Sequence, residues 1–300
     1  MEQEVYHIPA LLPESLEALD INPGGIYIDA TLGGGGHSRA IAGLLDKGHL
    51  YSIDQDMDAI GRAFQDSRFT AVHGNFRYLE NYCDYLGISG QVDGILADLG
   101  VSSHHFDDAS RGFSFRADGP LDMRMNAGGG RTAAELIADT DIDGLTSIFK
   151  VYGEFKQARR LAQALKSVPG GIDTTGALAT VAERFISPAN RKKELAQIFQ
   201  ALRIAVNGEM DALESFLSQS VDVLRPGGRL AVITYHSLED RMVKNFMRSG
   251  RIDGEIEKDF FGRSSAPLKP LSSKPTVPTE AEVERNPRSR SAKLRVAVKL

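Results

Sequence analysis

The sequence predicts an α/β fold: a parallel sheet fed by alternating strands and helices, with an all-helical domain inserted into it. Three observations predict this. Over the first hundred residues, short β-branched and aromatic runs alternate with helical runs, the pattern of right-handed βαβ crossovers. From Thr132 to about Asn207 that rhythm stops and the apolar spacing is helical throughout. It then resumes as a helix, a turn, a strand, a further helix and a last alternating run.

Taken in order, Gly25-Ile-Tyr-Ile-Asp-Ala30 reads as a buried strand, and His37 to Leu45 as a helix with Ile41, Leu44 and Leu45 on one face. Leu50–Asp54 is a second strand. Met57–Phe64 is a helix with Asp56 or Asp58 at its start. Phe69–His73 is a third strand, Tyr78–Leu86 a third helix and Val92–Asp98 a fourth strand. Ser103–Gly130 is glycine-rich, charged and without period, which predicts a long ordered loop. The helical stretch breaks at Pro169-Gly-Gly171. Glu209–Leu224 is a helix, Arg225-Pro-Gly-Gly228 a turn, Arg229–Tyr235 a strand and Leu238–Met247 a helix. Residues 262–280 read as loop, and Lys293–Lys299 as a closing edge strand. Residues 1–130 and 208–300 are thus assigned to the sheet-bearing core, and 131–207 to the helical insertion.

The chain has 300 residues, 42% of them hydrophobic, enough for a full core. No apolar run reaches the roughly 18 residues a membrane span needs. Met1–His7 is acidic and lacks a basic start followed by an apolar run, which predicts a cytoplasmic protein. Cys83 is the only cysteine, so an internal disulfide and a thiolate metal cluster are excluded. No metal is expected, because His104-His105 has no third ligand at useful spacing. The net charge of −5 is unevenly spread: Arg241–Leu300 carries 14 Lys and Arg against 7 Asp and Glu. The run Arg285-Asn-Pro-Arg-Ser-Arg-Ser-Ala-Lys-Leu-Arg295 is its densest part, able to neutralise phosphates or simply to stay solvated.

The chemistry concentrates at the ends of the predicted strands. The loop Asp29-Ala-Thr-Leu-Gly-Gly-Gly-Gly-His37 follows the first. Glycines such as Gly33, Gly35 and Gly36 let a backbone approach a ligand, and a helix starting there directs N–H groups at it. Asp29, just before the glycines, suits the amino-acid end of S-adenosylmethionine and has no counterpart need in a dehydrogenase. Asp54 ends the second strand, where a carboxylate accepts ribose hydroxyls. Asp98 ends the fourth, outside which ligands of parallel sheets bind. A carboxylate there can orient an amine and take its proton. Arg225-Pro-Gly-Gly-Arg229, ahead of the next strand, tips the cofactor from a nicotinamide to S-adenosylmethionine. Tyr235 ends that strand and could stack on a base. Ser237, His236 and Asp240 have the residue types of a hydrolase triad but not its spacing, and no Gly-x-Ser-x-Gly elbow exists.

Several segments together carry a resemblance. They are Gly25–Gly33, Gly35–Arg39, Asp98–Ser103, Arg111-Gly-Phe-Ser-Phe115, Asp118-Gly-Pro-Leu-Asp-Met-Arg-Met125, Phe199–Ile204, His236-Ser-Leu-Glu-Asp-Arg241 and Asn286–Arg295. The chain resembles the bacterial small-subunit ribosomal RNA cytidine-N4 methyltransferases from His7 to Arg295. The resemblance implies a Rossmann-like class I methyltransferase core with an inserted helical domain that recognises RNA. It implies S-adenosylmethionine as cofactor. As partner it implies small-subunit ribosomal RNA, in an assembled subunit or late precursor, with no membrane. By motif position the cofactor contacts fall on Gly35, Gly36, His37, Asp54, Phe76 and Asp98. His105 stands where the family carries a glutamine. Ser187–Glu194 is longer and more charged than the family's usual approach to its Phe-Gln-Ala-Leu-Arg motif.

The expected reaction is direct methyl transfer to cytosine N4, held by Asp98 or by the carbonyls of Leu99 and Gly100, with Asp98 and Tyr235 catalytic and Tyr235, Phe113 or Phe115 stacking on the ring. His37 is expected to meet the cofactor through its backbone N–H. The oligomeric state stays open, a homodimer included.

Overall fold

The computed structural model describes residues 9–101, 106–257 and 265–300. His105 and the Met1–His7 segment lie outside them. The chain divides into two compact units, Met1–Gly100 with Met210–Leu300, and Val101–Glu209.

The first unit holds a seven-stranded sheet in the order β3-β2-β1-β4-β5-β7-β6. Strands β1 (Ile26–Asp29), β2 (His49–Asp54), β3 (Phe69–His73), β4 (Val92–Asp98) and β5 (Leu224–Thr234) run parallel. Helices α1 (Leu12–Leu19), α2 (Gly36–Leu44), α3 (Met57–Gly61) and α4 (Leu79–Leu86) belong to its first half. Asp56 caps α3 by accepting from the Asp58 N–H at 3.1 Å, the start the sequence suggests. The strands are apolar on both faces because helices cover both. Ile28, Ile95 and Val232 enter one core, while Tyr27, Leu96, Ala231 and Ile233 enter the other.

Two expectations change here. Lys293–Lys299 is β7, antiparallel to β5, but it is an interior strand, because the three-residue β6 (Leu268–Pro270) pairs with its other side. A run of three residues containing a proline gives no period to read, so β6 is hidden in the expected 262–280 loop. The Arg225-Pro-Gly-Gly228 turn survives as a bulge inside β5: Val92 pairs with Leu224 and Gly94 already with Arg229. The remaining helices of this half are α10 (Glu209–Val223), α11 (Ser237–Ser249) and α12 (Glu280–Arg285).

The second unit is helical: α5 (Ala133–Asp139), α6 (Ile142–Val151), α7 (Ala158–Lys166), α8 (Thr175–Ala182) and α9 (Arg191–Asn207). It begins at Val101 rather than 131. Phe113, Leu121, Met123 and Met125 are buried in the same cluster as Phe149, Leu161, Leu178 and Leu202, so the long loop belongs with the helices. Polar anchors hold it. The Asn207 amide receives the Met125 N–H and donates to the Met123 carbonyl, both at 2.8 Å. Asp118 accepts from the Gly176 N–H at 2.7 Å, at the start of α8. Phe113 is 4% exposed, which removes it from the stacking candidates. Phe115 is partly buried, edge-on to Phe199 at 5.4 Å. Among the described residues no helix is long and apolar enough to cross a membrane.

Candidate active site

The parallel strands end together, and Asp29, Asp54, Asp98 and Tyr235 stand at or just past the ends of β1, β2, β4 and β5. The strand order reverses between β1 and β4, the place where such sheets bind ligands. Gly33 (φ +50°) and Gly35 (φ +75°) turn the chain from β1 into α2, with Gly35 as the N-cap. Side chains rarely adopt such angles. At Gly34 an added Cβ would meet nothing within 4 Å, so the loop is open there, whereas at Gly36 it would meet Pro9 at 2.8 Å.

Asp29 is fully buried. Its Oδ2 accepts from the Ser38 hydroxyl at 2.6 Å and its Oδ1 from the Thr31 N–H at 3.1 Å. Burial pushes its carboxyl up to about 7, against the pull of those two donors. Asp29 therefore fastens the glycine loop and the first turn of α2. Asp54 does similar work, accepting from the Gly33 N–H at 2.8 Å and the Asp56 N–H at 2.9 Å. Phe76 is part-buried edge-on against Phe216 at 5.4 Å. The neighbouring Asn75 amide donates to the Gln55 side chain at 2.8 Å, tying this corner to the end of β2.

Asp98 is the centre of the arrangement. Its backbone N–H donates to the Thr31 hydroxyl at 2.7 Å, linking β4 to the loop. Its Oδ1 accepts from the Tyr235 hydroxyl at 2.8 Å, and its Oδ2 lies 3.7 Å from His37 Nδ1. Burial pushes the Asp98 carboxyl up to about 7, the Tyr235 bond acting the other way and the Asp29 charge adding to the rise. Burial, then the Asp98 charge, raises the Tyr235 phenol far above its ordinary value, so it stays a donor.

His37 differs from expectation in its side chain. The ring is buried, with Nε2 3.1 Å from the Ala10 carbonyl. A carbonyl only accepts, so Nε2 carries the hydrogen, and Nδ1 is the nitrogen turned to Asp98. Sequence reasoning does not single out Thr31, Ser38 or Glu239. Thr31 and Ser38 flank the glycines and read as ordinary turn residues. Glu239, 3% exposed, accepts the Tyr235 N–H at 2.9 Å and caps α11 with His236, fixing the end of β5. Its one signal is the spacing of three from His236, a capping-box spacing with an unusual cap residue. Of Ser237, His236 and Asp240, set aside above as a hydrolase triad, His236 caps the helix and Asp240 pairs with Arg295 and Lys293.

A parallel sheet with an antiparallel β7 beside β5, a glycine loop after β1 and carboxylates ending β1, β2 and β4 defines a Rossmann-like class I methyltransferase. Residues 4–300 match the MraW methylase family, and the chain belongs to that family. It is 56% identical over 298 residues to ribosomal RNA small subunit methyltransferase H of Parabacteroides distasonis, covering 98% of each chain. It is 52% identical over 301 residues to the protein of the same name from Bacteroides thetaiotaomicron, covering 99% of each. The one from Porphyromonas gingivalis is 53% identical over 307 residues, covering 100% of this chain and 98% of that protein.

Proposed function

We propose that this protein transfers a methyl group from S-adenosylmethionine to the exocyclic N4 of a decoding-centre cytidine in small-subunit ribosomal RNA, working in the cytoplasm on an assembled subunit or late precursor. The relatives' shared name supports the RNA, and family membership supports the methyl donor. The residues present fit that donor. The glycine loop has open space at Gly34, and Asp54 stands where a ribose would be held, with Phe76 at the next corner. Asp29 acts by holding that loop in shape. When bound, S-adenosylmethionine supplies an activated methyl group on a sulfonium.

The observation that carries the choice of acceptor is Asp98 with its phenol and imidazole neighbours. An exocyclic amine has its lone pair drawn into the ring and is a poor nucleophile, so it must be oriented and relieved of a proton. A carboxylate with its pKa near 7 can do both. With the methyl donor bound, Asp98 would orient N4 toward the methyl group and take up one N4 proton as N4 is methylated. Tyr235 holds Asp98 Oδ1, leaving Oδ2, on the His37 side, as the receiving atom. Methylation at a ring carbon would need a thiolate nucleophile. The sole cysteine, Cys83, is buried in α4 with its thiol pushed up to about 12 by that burial. The helical unit is the proposed RNA-recognition domain, with Lys192 and Lys193 exposed at the start of α9.

The test is transfer of labelled methyl groups to subunits purified from cells lacking this protein, followed by nucleoside mass spectrometry. N4-methylcytidine is expected. Label in C5-methylcytidine, or in ribosomal protein, overturns the assignment.

A further inference from the structure

The basic run Arg285–Arg295 is not one surface in the folded chain. Arg295 Nε lies 2.7 Å and Lys293 Nζ 3.2 Å from the Asp240 carboxylate, with Arg295 only 11% exposed. Those two charges are used inside the sheet-bearing unit. Ahead of them the chain forms a short 3-10 helix, Pro287–Ser291, in which every third residue turns inward: Asn286, Ser289 and Ala292 are buried. Backbone bonds from the Asn286 N–H to Glu282 (2.7 Å), Ser289 to Asn286 (3.0 Å) and Ala292 to Ser289 (2.7 Å) hold it. Arg288 and Arg290 are exposed on it, and Arg285 is exposed at the end of α12 just before it.

Two independent contacts place this segment at the active site. Lys293 pairs with Thr234, and β7 runs antiparallel to β5. The residues before Lys293 therefore emerge where β5 ends at Tyr235. In addition, the buried Glu282 accepts the Leu11 N–H at 2.8 Å, and the preceding residue, Ala10, holds the ring of His37. The positive surface has a limit, since Glu280 and Glu284 are exposed on α12 just before it.

We infer that Arg285, Arg288 and Arg290 form a phosphate-binding rim that grips the RNA backbone next to the target nucleotide. The inference rests on the RNA reading above and adds to it which half of the basic run meets the substrate. Arginines on a pre-ordered backbone suit phosphate, whose oxygens match the guanidinium fork. Contacts of this kind position a strand without reading its bases.

The experiment is retention of small subunits, from cells lacking this protein, by the full-length chain on filters across a salt series, which needs no turnover. R285A/R290A should bind several-fold more weakly and lower the salt slope by about 0.7–0.9 for each phosphate no longer neutralised. R290K should keep most of the slope. K269A removes one exposed charge on β6, level with Arg229 at the opposite end of β5, and should leave the slope as it is. Binding of S-adenosylhomocysteine, read by calorimetry, should match the wild type in every variant. A wild-type slope in R285A/R290A overturns the rim, as does an equal loss in K269A. Subunits bound with an arginine-dependent slope but never methylated overturn the reaction and leave the rim standing. No binding by the wild type overturns both.

Discussion

Replacing Asp98 by asparagine should separate two effects of the same carboxylate. Asparagine keeps an oxygen for the Tyr235 hydroxyl and puts an N–H toward His37 Nδ1, so the fold has no reason to change. What is lost is the ability to take a proton, and methyl transfer should fall about 10²–10⁴-fold. Stability should move the other way. The folded carboxyl sits near 7 and an unfolded aspartate near 4, so ionisation is penalised in the fold. A raised carboxyl contributes stability fully below about pH 4, and that contribution is lost as pH rises through 7. Three units correspond to about 4 kcal/mol, and solvent reaching a fifth of the side chain cuts this to about 2 kcal/mol. D98N escapes the loss. Its melting temperature should match the wild type near pH 4 and exceed it by about 4 °C at pH 8. Scanning fluorimetry at the two pH values, with labelled transfer to subunits at pH 8, reads both. Full transfer by D98N, or a thermal gain as large at pH 4 as at pH 8, refutes the reasoning.

Tyr235→Phe removes the donor that holds the Asp98 pKa down, so the acid limb of the kcat profile, expected near 7, should shift to higher pH; a series from pH 6 to 9 checks it. Gly35→Ala forces a side chain into φ +75° in otherwise adequate space and should cost about 1–2 kcal/mol, read as weaker S-adenosylhomocysteine binding by calorimetry. Asp240→Ala strips Arg295 and Lys293 of their partner and should lower stability by about 2 kcal/mol in urea titration, without altering cofactor affinity. Asn207→Ala leaves the Met123 carbonyl and Met125 N–H unsatisfied in the helical unit; a cost of about 2 kcal/mol should appear as faster amide exchange across 121–126.

The strands that carry the site are legible because parallel strands buried on both faces write themselves as unbroken apolar runs, ended here by Asp29, Asp54 and Asp98. What a sequence does not display is the partner of each carboxylate. Asp29 and Asp54 read as ligand contacts; folded, they also serve their own loop through Ser38, Thr31 and Gly33. The His37 ring reaches Ala10, 27 residues back in the chain, and no local pattern encodes that pairing. The boundary at Val101 is hidden for a related reason. Leu121, Met123 and Met125 reach the helical core from a loop without period, and burial without period leaves no signature.

Between β4 and β5 lie about 125 residues, which include the whole helical unit. At synthesis rates of roughly 5–20 residues per second, β4 waits about 6–25 s for the neighbour that closes its second edge. That edge belongs to Ile95-Leu-Ala97, among the most apolar backbone of the protein. Meanwhile the helical unit can collapse on its own contacts. A nascent chain stalled between about 210 and 223 therefore has a complete helical unit and only half a sheet, with an open edge prone to strand-to-strand aggregation.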